Sequence, residues 1–444
     1  MSTADPWGET LPRRLGLWSA VAVLVGSTIG SGIFRTPAVV AVRIGDAPTV
    51  LLAWVLGGVV ALCGALTYAE LSAAYPRSGG LYVFLREAFG PRVAFAFGWA
   101  ELAVIRPGAY GAIATTAAAY GLRGLGWDPA APVGPMALEQ AVGAGLIATV
   151  AVVNALGVHR GAALQNLSTA LKLGALLALV AVGVGFGRGL GVDLFAQRGA
   201  PGASAVLLAM VSISWAYDGW ADLSFVGGEV ADPQRTLPKA LLLGTALVVA
   251  TYLAVNLVYL HLVPLEQMAR TDLVAADAAT AVLGPWGGTA VALTIAVSTF
   301  GTLNGSMMTA PRIFFAMAED GLLPKRIGAV DPRTGAPIGA IALCAALGVV
   351  FVSVRSFTEL ADQFVIGIWP FYALGVLGVF ALRRRSGPPA TYRTWGYPWV
   401  PAAFLVVSVA MLVNVAWSDP VAVAVDLGVV GLALPLYAWV TRRR

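Results

Sequence analysis

The sequence predicts an all-α membrane protein of twelve transmembrane helices: two five-helix inverted repeats with spans one and six broken, plus two extra C-terminal helices. Three observations carry this expectation. Of 444 residues, 58% are hydrophobic and 11% charged, with a mean hydropathy of +0.80, whereas a soluble domain carries about a quarter charged residues. Twelve apolar segments of spanning length fill the chain and leave no room for a soluble domain. The first and the sixth segments are interrupted at mid-length, in corresponding positions of two halves.

The segments run 15–42, 48–74, 92–119, 137–157, 162–187, 203–229, 238–262, 287–316, 337–354, 358–382, 399–417 and 420–440. A tail, 1–14, precedes a single transmembrane domain, 15–441, with repeat one over 15–187, repeat two over 203–382 and the extra helices over 399–440. Twelve spans put both termini on one side. With that side inside, nineteen lysines and arginines fall in cytoplasmic loops and span ends, seven on the outer side and two deep within spans, so the positive-inside rule makes both ends cytoplasmic. The tail shows no cleavable signal, and the first span itself is expected to direct insertion.

Span one has too many residues and the wrong ones at its centre. Its 28 residues would reach roughly 42 Å as one helix. Its middle, Val25-Gly-Ser-Thr-Ile-Gly-Ser-Gly-Ile-Phe34, carries three glycines and three hydroxyls, and each glycine costs a helix about 1 kcal/mol relative to alanine. Pro37 withholds the N–H that the Ile33 carbonyl needs, so a second half-helix is expected to start near Phe34. Unwound backbone at membrane depth is tolerated where it is buried in protein or lines a cavity. Free N–H groups opening the second half-helix suit a carboxylate, and free carbonyls closing the first suit an ammonium group. A face for close helix packing would space its small residues four apart, and here they are contiguous.

Span six repeats the anomaly. Ser214-Trp-Ala-Tyr-Asp-Gly-Trp-Ala-Asp222 places two acids, a glycine and three aromatics at mid-span, and Gly227-Gly228 follows. Acids at membrane depth are costly unless paired or hydrated and mark function by default. The linker from Pro76 to Gly90 reads as a short interfacial helix pair acting as an inner gate, or as a plain connector. Arg383-Arg-Arg385 and Tyr392–Pro398 read as cytoplasmic anchoring.

Several function classes are excluded by what accompanies these spans. Scattered arginines give no nucleic-acid surface, and no G-x-x-x-x-G-K-[ST] stretch supports an ATP-driven pump. No ring of charges suggests a channel filter. His159 and His261 stand alone, so neither metal nor cofactor is expected, and an enzyme is not expected either. Cys63 and Cys344 lie inside apolar segments and imply no disulfide framework.

These residues resemble the amino acid–polyamine–organocation superfamily, and within it the bacterial L-type amino acid transporter branch. The resemblance rests on Gly26–Phe34, Tyr68-Ala-Glu-Leu71 leading into Pro76-Arg-Ser-Gly-Gly-Leu-Tyr82, Ile105-Arg-Pro107 and Trp215–Trp220. Glu229-Val-Ala-Asp-Pro-Gln-Arg-Thr-Leu-Pro238, Ser298-Thr-Phe-Gly-Thr-Leu-Asn-Gly305 and Asp320-Gly-Leu-Leu-Pro324 complete the set in order, covering nearly the whole chain. It implies alternating-access transport of amino acids, with the substrate carboxylate on the backbone of Ser27, Thr28, Ile29, Gly30, Ser31 and Gly32. The α-amino group is then expected on carbonyls of Ser214, Trp215, Ala216 and Tyr217, with Trp215 over the substrate. Ile105, Gly108, Thr299 and Trp369 are the implied side-chain pocket, and Asp218 is expected to tune the unwound backbone.

Lys172 is the only lysine inside a span. Snorkelling to the cytoplasmic face would be the ordinary fate of such a residue. By resemblance it reaches the broken first helix and the eighth span, where sodium-coupled relatives hold a cation, so sodium-independent transport is expected. Arg106 follows Glu101 by five residues, a spacing that sets the two apart around an α-helix, so it is read either as a gate or substrate contact or, in preference, as the structural partner of an acid on another span. Relatives that pair with a glycoprotein heavy chain carry a cysteine in the loop after span three. The stretch 121–137 has none, so no disulfide-linked heavy chain is expected, and the bacterial inner membrane is the expected location. Exchange of neutral amino acids is the leading expectation; proton-coupled import through Lys172, or cationic amino acids and polyamines as cargo, are the alternatives.

Overall fold

Helix boundaries in this chain are written by prolines, glycines and a few capping side chains. The computed structural model describes residues 13–186, 201–271, 273–385 and 391–442, without the side chains of 158–166, 358 and 422. The first broken span is α1 (Leu17–Thr28) and α2 (Ser31–Ile44). Gly45 closes α2 at a φ of 69°, and Asp46 opens α3 (Ala47–Ala74) by accepting from the Thr49 N–H at 3.0 Å. Next come α4 (Leu81–Phe89), α5 (Pro91–Ala100), a π turn over Glu101–Ile105 and α6 (Arg106–Gly124). A two-stranded hairpin, β1 (Pro132–Val133) with β2 (Met136–Ala137), leads into α7 (Leu138–Ala155) and α8 (Val158–Phe186).

The second half opens with α9 (Ala203–Tyr217), which stops at an extended Asp218 and resumes as the short α10 (Asp222–Phe225) and a 3-10 turn at Gly227–Glu229. Then follow α11 (Pro233–Leu262), α12 (Leu265–Met268), α13 (Val274–Leu283), α14 (Pro285–Thr309), α15 (Pro311–Glu319), α16 (Lys325–Gly328) and α17 (Ile338–Val354). Finally α18 (Phe357–Arg384) starts from a reciprocal Ser356–Glu359 capping box, and α19 (Trp399–Ser418), α20 (Pro420–Gly431) and α21 (Ala433–Arg442) complete the chain. Prolines open α5, α11, α14, α15 and α20, where the missing N–H costs nothing.

Among the described residues, nine helices are long and apolar enough to cross a membrane. The difference from twelve has local causes. The break at Asp218 leaves α9 with 15 residues, α17 has 17, and span three is divided by the π turn.

Both breaks fall where the sequence placed them, with one change of register. The second half-helix begins at Ser31, and Pro37 lies inside it. The proline's missing donor therefore falls within a running helix, and the chain turns upstream at Ile29 and Gly30. The broken helices sit at the centre: α2 runs against α9, α1 against α11, α8 and α14, and α6 between α14 and α17. A Cβ on Gly32 would collide with the Ala216 Cα, so the two breaks cross backbone to backbone. Gly219, at a φ of 106°, would bring a Cβ within 2.8 Å of the Thr28 N.

Candidate functional site

Most carbonyls at the end of α1 have named donors. Thr28 Oγ1 donates to Leu24 O at 2.9 Å, Ile29 N–H to Val25 O at 2.9 Å, and the Tyr252 hydroxyl to Thr28 O at 2.9 Å. Two further buried carbonyls take a cation. Lys172 Nζ donates to Gly26 O at 2.8 Å, Ile29 O at 2.7 Å and Thr302 Oγ1 at 2.8 Å. Lys172 is 1% exposed, so its ammonium does not snorkel; three N–H donors meet three oxygens where α1, α8 and α14 converge. The Thr302 hydroxyl passes its own proton to Ile29 O at 2.9 Å.

On the other side of the break, no side chain caps α2, and its first N–H groups have no acceptor within the helix. Ser31 and Gly32, which carry the first of them, line a cavity of about 30 Å³ together with Ser27, Thr28, Gly30, Arg106, Ala109, Ile113, Trp215, Asp218, Asp222, Thr302, Ser306 and Phe364. That volume holds about two waters and no amino acid, so cargo requires the helices to part. Ser27 Oγ and Trp215 Nε1 are buried on this wall without a hydrogen-bond partner. Trp215 meets Phe364 edge-on at 5.0 Å and Phe357 at 6.4 Å, forming an aromatic stack on one side of the cavity.

Of the remaining expected residues, Ile29 contributes its carbonyl to the Lys172 site. Ser214 turns its hydroxyl onto Met210 O, Ala216 backs Gly32, and Tyr217 donates to Trp54 O at 3.2 Å; none of the three lines the cavity. Neither do Ile105, Gly108, Thr299 and Trp369. Ile105 backs Gly367, and Gly108 faces the Leu360 carbonyl. Thr299 bonds Ile295 O at 2.8 Å, and Trp369 stacks on Phe404 at 5.4 Å. Their places on the wall are taken by Ala109 and Ile113, by Thr302 and Ser306, and by Phe364. The π turn accommodates one extra residue, which rotates α6 by about 100° relative to an unbroken helix.

The same π turn overturns the expectation that Glu101 stands apart from Arg106, while the expected acid on another span is present as well, as Asp222. Glu101 is its partner: Arg106 Nε lies 2.6 Å from Glu101 Oε2, inside a site where the two side chains are 2% and 0% exposed. Wider winding brings residues five apart onto one face, which an α-helix keeps separate. The guanidinium also reaches Asp222 Oδ1 and Ser306 Oγ at 3.4 Å. Asp218 departs from expectation as well: its carboxylate accepts from the Tyr372 hydroxyl at 2.8 Å and not from the unwound backbone.

Polar ties close one end of the bundle. Arg14 and Leu15 N–H donate to Glu229 O at 2.8 and 2.9 Å, and Gly79 N–H to Phe225 O at 2.9 Å. Arg312 pairs with Glu229 at 2.9 Å, Arg383 with Glu70 at 2.7 Å and Arg86 with Asp320. The linker after α3 therefore holds one helix, α4, rather than a pair, set between positive-φ glycines at 80 and 90. At its start, burial and then Asp320 raise the Tyr82 phenol well above its usual range. The sequence readings of residues 1–12, of Arg188 and Arg198, of the His159 side chain and of 386–390 lie outside the described residues. Cys63 and Cys344 are buried and unpaired.

Sequence reasoning overlooked Phe364, Thr302, Ser306, Ala109 and Ile113. One signal was available: Thr302 and Ser306 sit four apart with Thr299 and Asn304 around them, a polar stripe in an apolar helix.

Comparison with known proteins follows the same lines. The amino acid permease family model matches residues 15–437. A serine/threonine exchanger, SteT, from Bacillus subtilis is 30% identical over 98% of this chain and 98% of its own. The human b(0,+)-type amino acid transporter 1 is 31% identical over 86% of this chain and 78% of its own, and the human cystine/glutamate transporter 30% over 98% and 87%. With its broken central helices and a match over nearly its whole length, the chain belongs to the amino acid permease family of multi-pass membrane transporters within the amino acid–polyamine–organocation superfamily.

Proposed function

We propose that this protein is a sodium-independent exchanger of neutral L-amino acids that works by alternating access in the bacterial inner membrane. In this reading twelve spans cross the bilayer, both termini are cytoplasmic, and 15–187 and 203–382 form the inverted repeats with 399–440 outside them. The single observation that carries it is the crossing of two broken helices over a cavity, with the first residues of α2 lining it and an ammonium on the carbonyls of α1. Main-chain N–H groups at a helix start recognise a carboxylate that every amino acid carries. Sodium needs several oxygens at once, and Gly26 O, Ile29 O and Thr302 Oγ1 are already taken by Lys172. The Bacillus subtilis relative, by its name an exchanger of serine and threonine, supports small neutral cargo.

The test is counterflow in proteoliposomes. Vesicles loaded with unlabelled L-serine should accumulate labelled L-serine in sodium-free buffer, and empty vesicles should not. Uptake into empty vesicles driven by a sodium gradient, or none into loaded ones, overturns the proposal. One observation favours a second cargo class: Asp218 places a carboxylate on the cavity wall, which suits cationic side chains.

A further inference from the structure

We infer that the buried charges around the cavity are one positive charge short, and that the missing charge is a proton on Asp218 when cargo is neutral and the cargo's own side chain when it is cationic. The inference rests on the exchanger reading and deepens it. Among the described residues, Glu70 and Glu229 nearer the tied end each have a matching arginine, Arg383 and Arg312. At the centre, three carboxylates, Glu101, Asp218 and Asp222, stand with two cations, Arg106 and Lys172. Lys172 spends all three N–H groups on oxygens of α1 and α14. Arg106 is committed to Glu101 at 2.6 Å and Asp222 at 3.4 Å.

Asp218 is left over. One of its oxygens accepts from Tyr372 at 2.8 Å, and among the described residues no other side chain hydrogen-bonds it. The titratable and charged groups around it are Asp222 on its own stretch, Arg106 and Glu101 from span three, Tyr372 from α18 and Tyr68 from α3; Lys172 from α8 stands behind the break of α1. None of these can supply a further cation. An uncompensated charge in a site with room for no more than about two waters is costly enough that it is neutralised or paired. Two further features mark the wall as a receptor and not a sealed defect. Ser27 Oγ and Trp215 Nε1 are 8% and 7% exposed as residues, line the same cavity and have no partner.

The consequence is a fixed stoichiometry. A neutral amino acid moves with one proton, taken from water by the Asp218 carboxylate on the loading side and returned to water on the other. A cationic amino acid moves alone, its side chain facing the deprotonated carboxylate. Exchange of one for the other is then electrically silent and moves one proton opposite to the cationic amino acid.

The experiment uses the full chain in proteoliposomes loaded with L-serine and a lumenal pH dye, with L-arginine added outside. The expected result is arginine uptake with alkalinisation of the lumen, one proton lost per arginine gained, at a rate indifferent to a valinomycin-clamped potential. Serine–serine exchange should leave lumenal pH constant and speed up as pH falls on both sides. Asp218→Asn should abolish the alkalinisation and cut arginine uptake by about tenfold or more, as expected for loss of one charge partner in a buried site. Should Asp218→Asn not fold, the proton and voltage readings on the unmodified protein decide alone. Arginine uptake that is driven by inside-negative potential without a pH change overturns the inference, and so does serine exchange with no arginine uptake. Absence of serine–serine exchange overturns the exchanger reading instead, and the inference with it.

Discussion

Glu101→Ala is the substitution that most directly tests the geometry of span three. It removes the nearest partner of a guanidinium that is 2% exposed, leaving Arg106 with Asp222 and Ser306, each at 3.4 Å. Two unit charges about 4 Å apart interact by ~4 kcal/mol at an effective dielectric constant of 20, and breaking a buried pair by deleting one member costs about 3–5 kcal/mol. Asp222 already carries part of the load, which places the expected loss near ~3 kcal/mol. Glu101→Gln keeps an acceptor for Nε while losing the charge, so it should fall between alanine and the unmodified protein. The assay is the half-denaturation temperature of purified protein in detergent, read by size-exclusion fluorescence. Unfolding of such proteins is a rate process, so the order of the three proteins is the observable. An alanine variant that melts with the unmodified protein would refute the pairing and, with it, the π turn that makes five-residue spacing a contact.

Four further outcomes follow from the site. Lys172→Met leaves Gly26 O without its donor, an orphaned acceptor worth about 1–3 kcal/mol, and should reduce serine counterflow by more than about tenfold if the end of α1 must hold its shape. Gly32→Val should abolish transport, measured as counterflow, because its Cβ would meet the Ala216 backbone; Gly16→Ala, with open space around it, should not. Phe364→Ala removes the ring packed on Trp215 and should raise leak of loaded serine from vesicles relative to exchange. Asp331, in the loop before α17, has its carboxyl held below the ordinary 3.8 by backbone N–H groups of Thr334 and Arg333. Its contribution is therefore present above pH 3.8 and lost as pH falls through the lowered value; hydrogen exchange at those two amides should rise only in that acid window.

Much of the architecture was legible because its causes are local. A run of apolar residues reads as a span whatever it packs against, and contiguous glycines and hydroxyls in Gly26–Gly32 weaken a helix wherever it stands. The same holds for Asp218-Gly219, where an acid and a glycine interrupt span six. The break in span one came slightly earlier than Pro37 suggested, because a proline's missing bond can be tolerated within a helix whose neighbours cover it, whereas the crossing at Gly32 and Ala216 admits no such compromise. Lys172 was legible as a cation within an apolar segment, and its reach to the broken first helix only through the family resemblance; that its three partners are Gly26, Ile29 and Thr302 depends on the convergence of three helices.

By itself, then, the sequence determined that the chain is a multi-pass helical membrane protein, where two of its apolar segments cannot stay helical, and which charged residues stand inside such segments. Tertiary structure alone decided the pairings: Glu101 for Arg106, Tyr372 for Asp218, and Phe364 against Trp215, with Phe364 rather than Trp369 on the cavity wall. The physical reason is helical phase. One π turn rotates every following side chain by about 100°, and partners more than a hundred residues apart, such as Asp218 and Tyr372, meet only after each helix has settled its rotation against its neighbours.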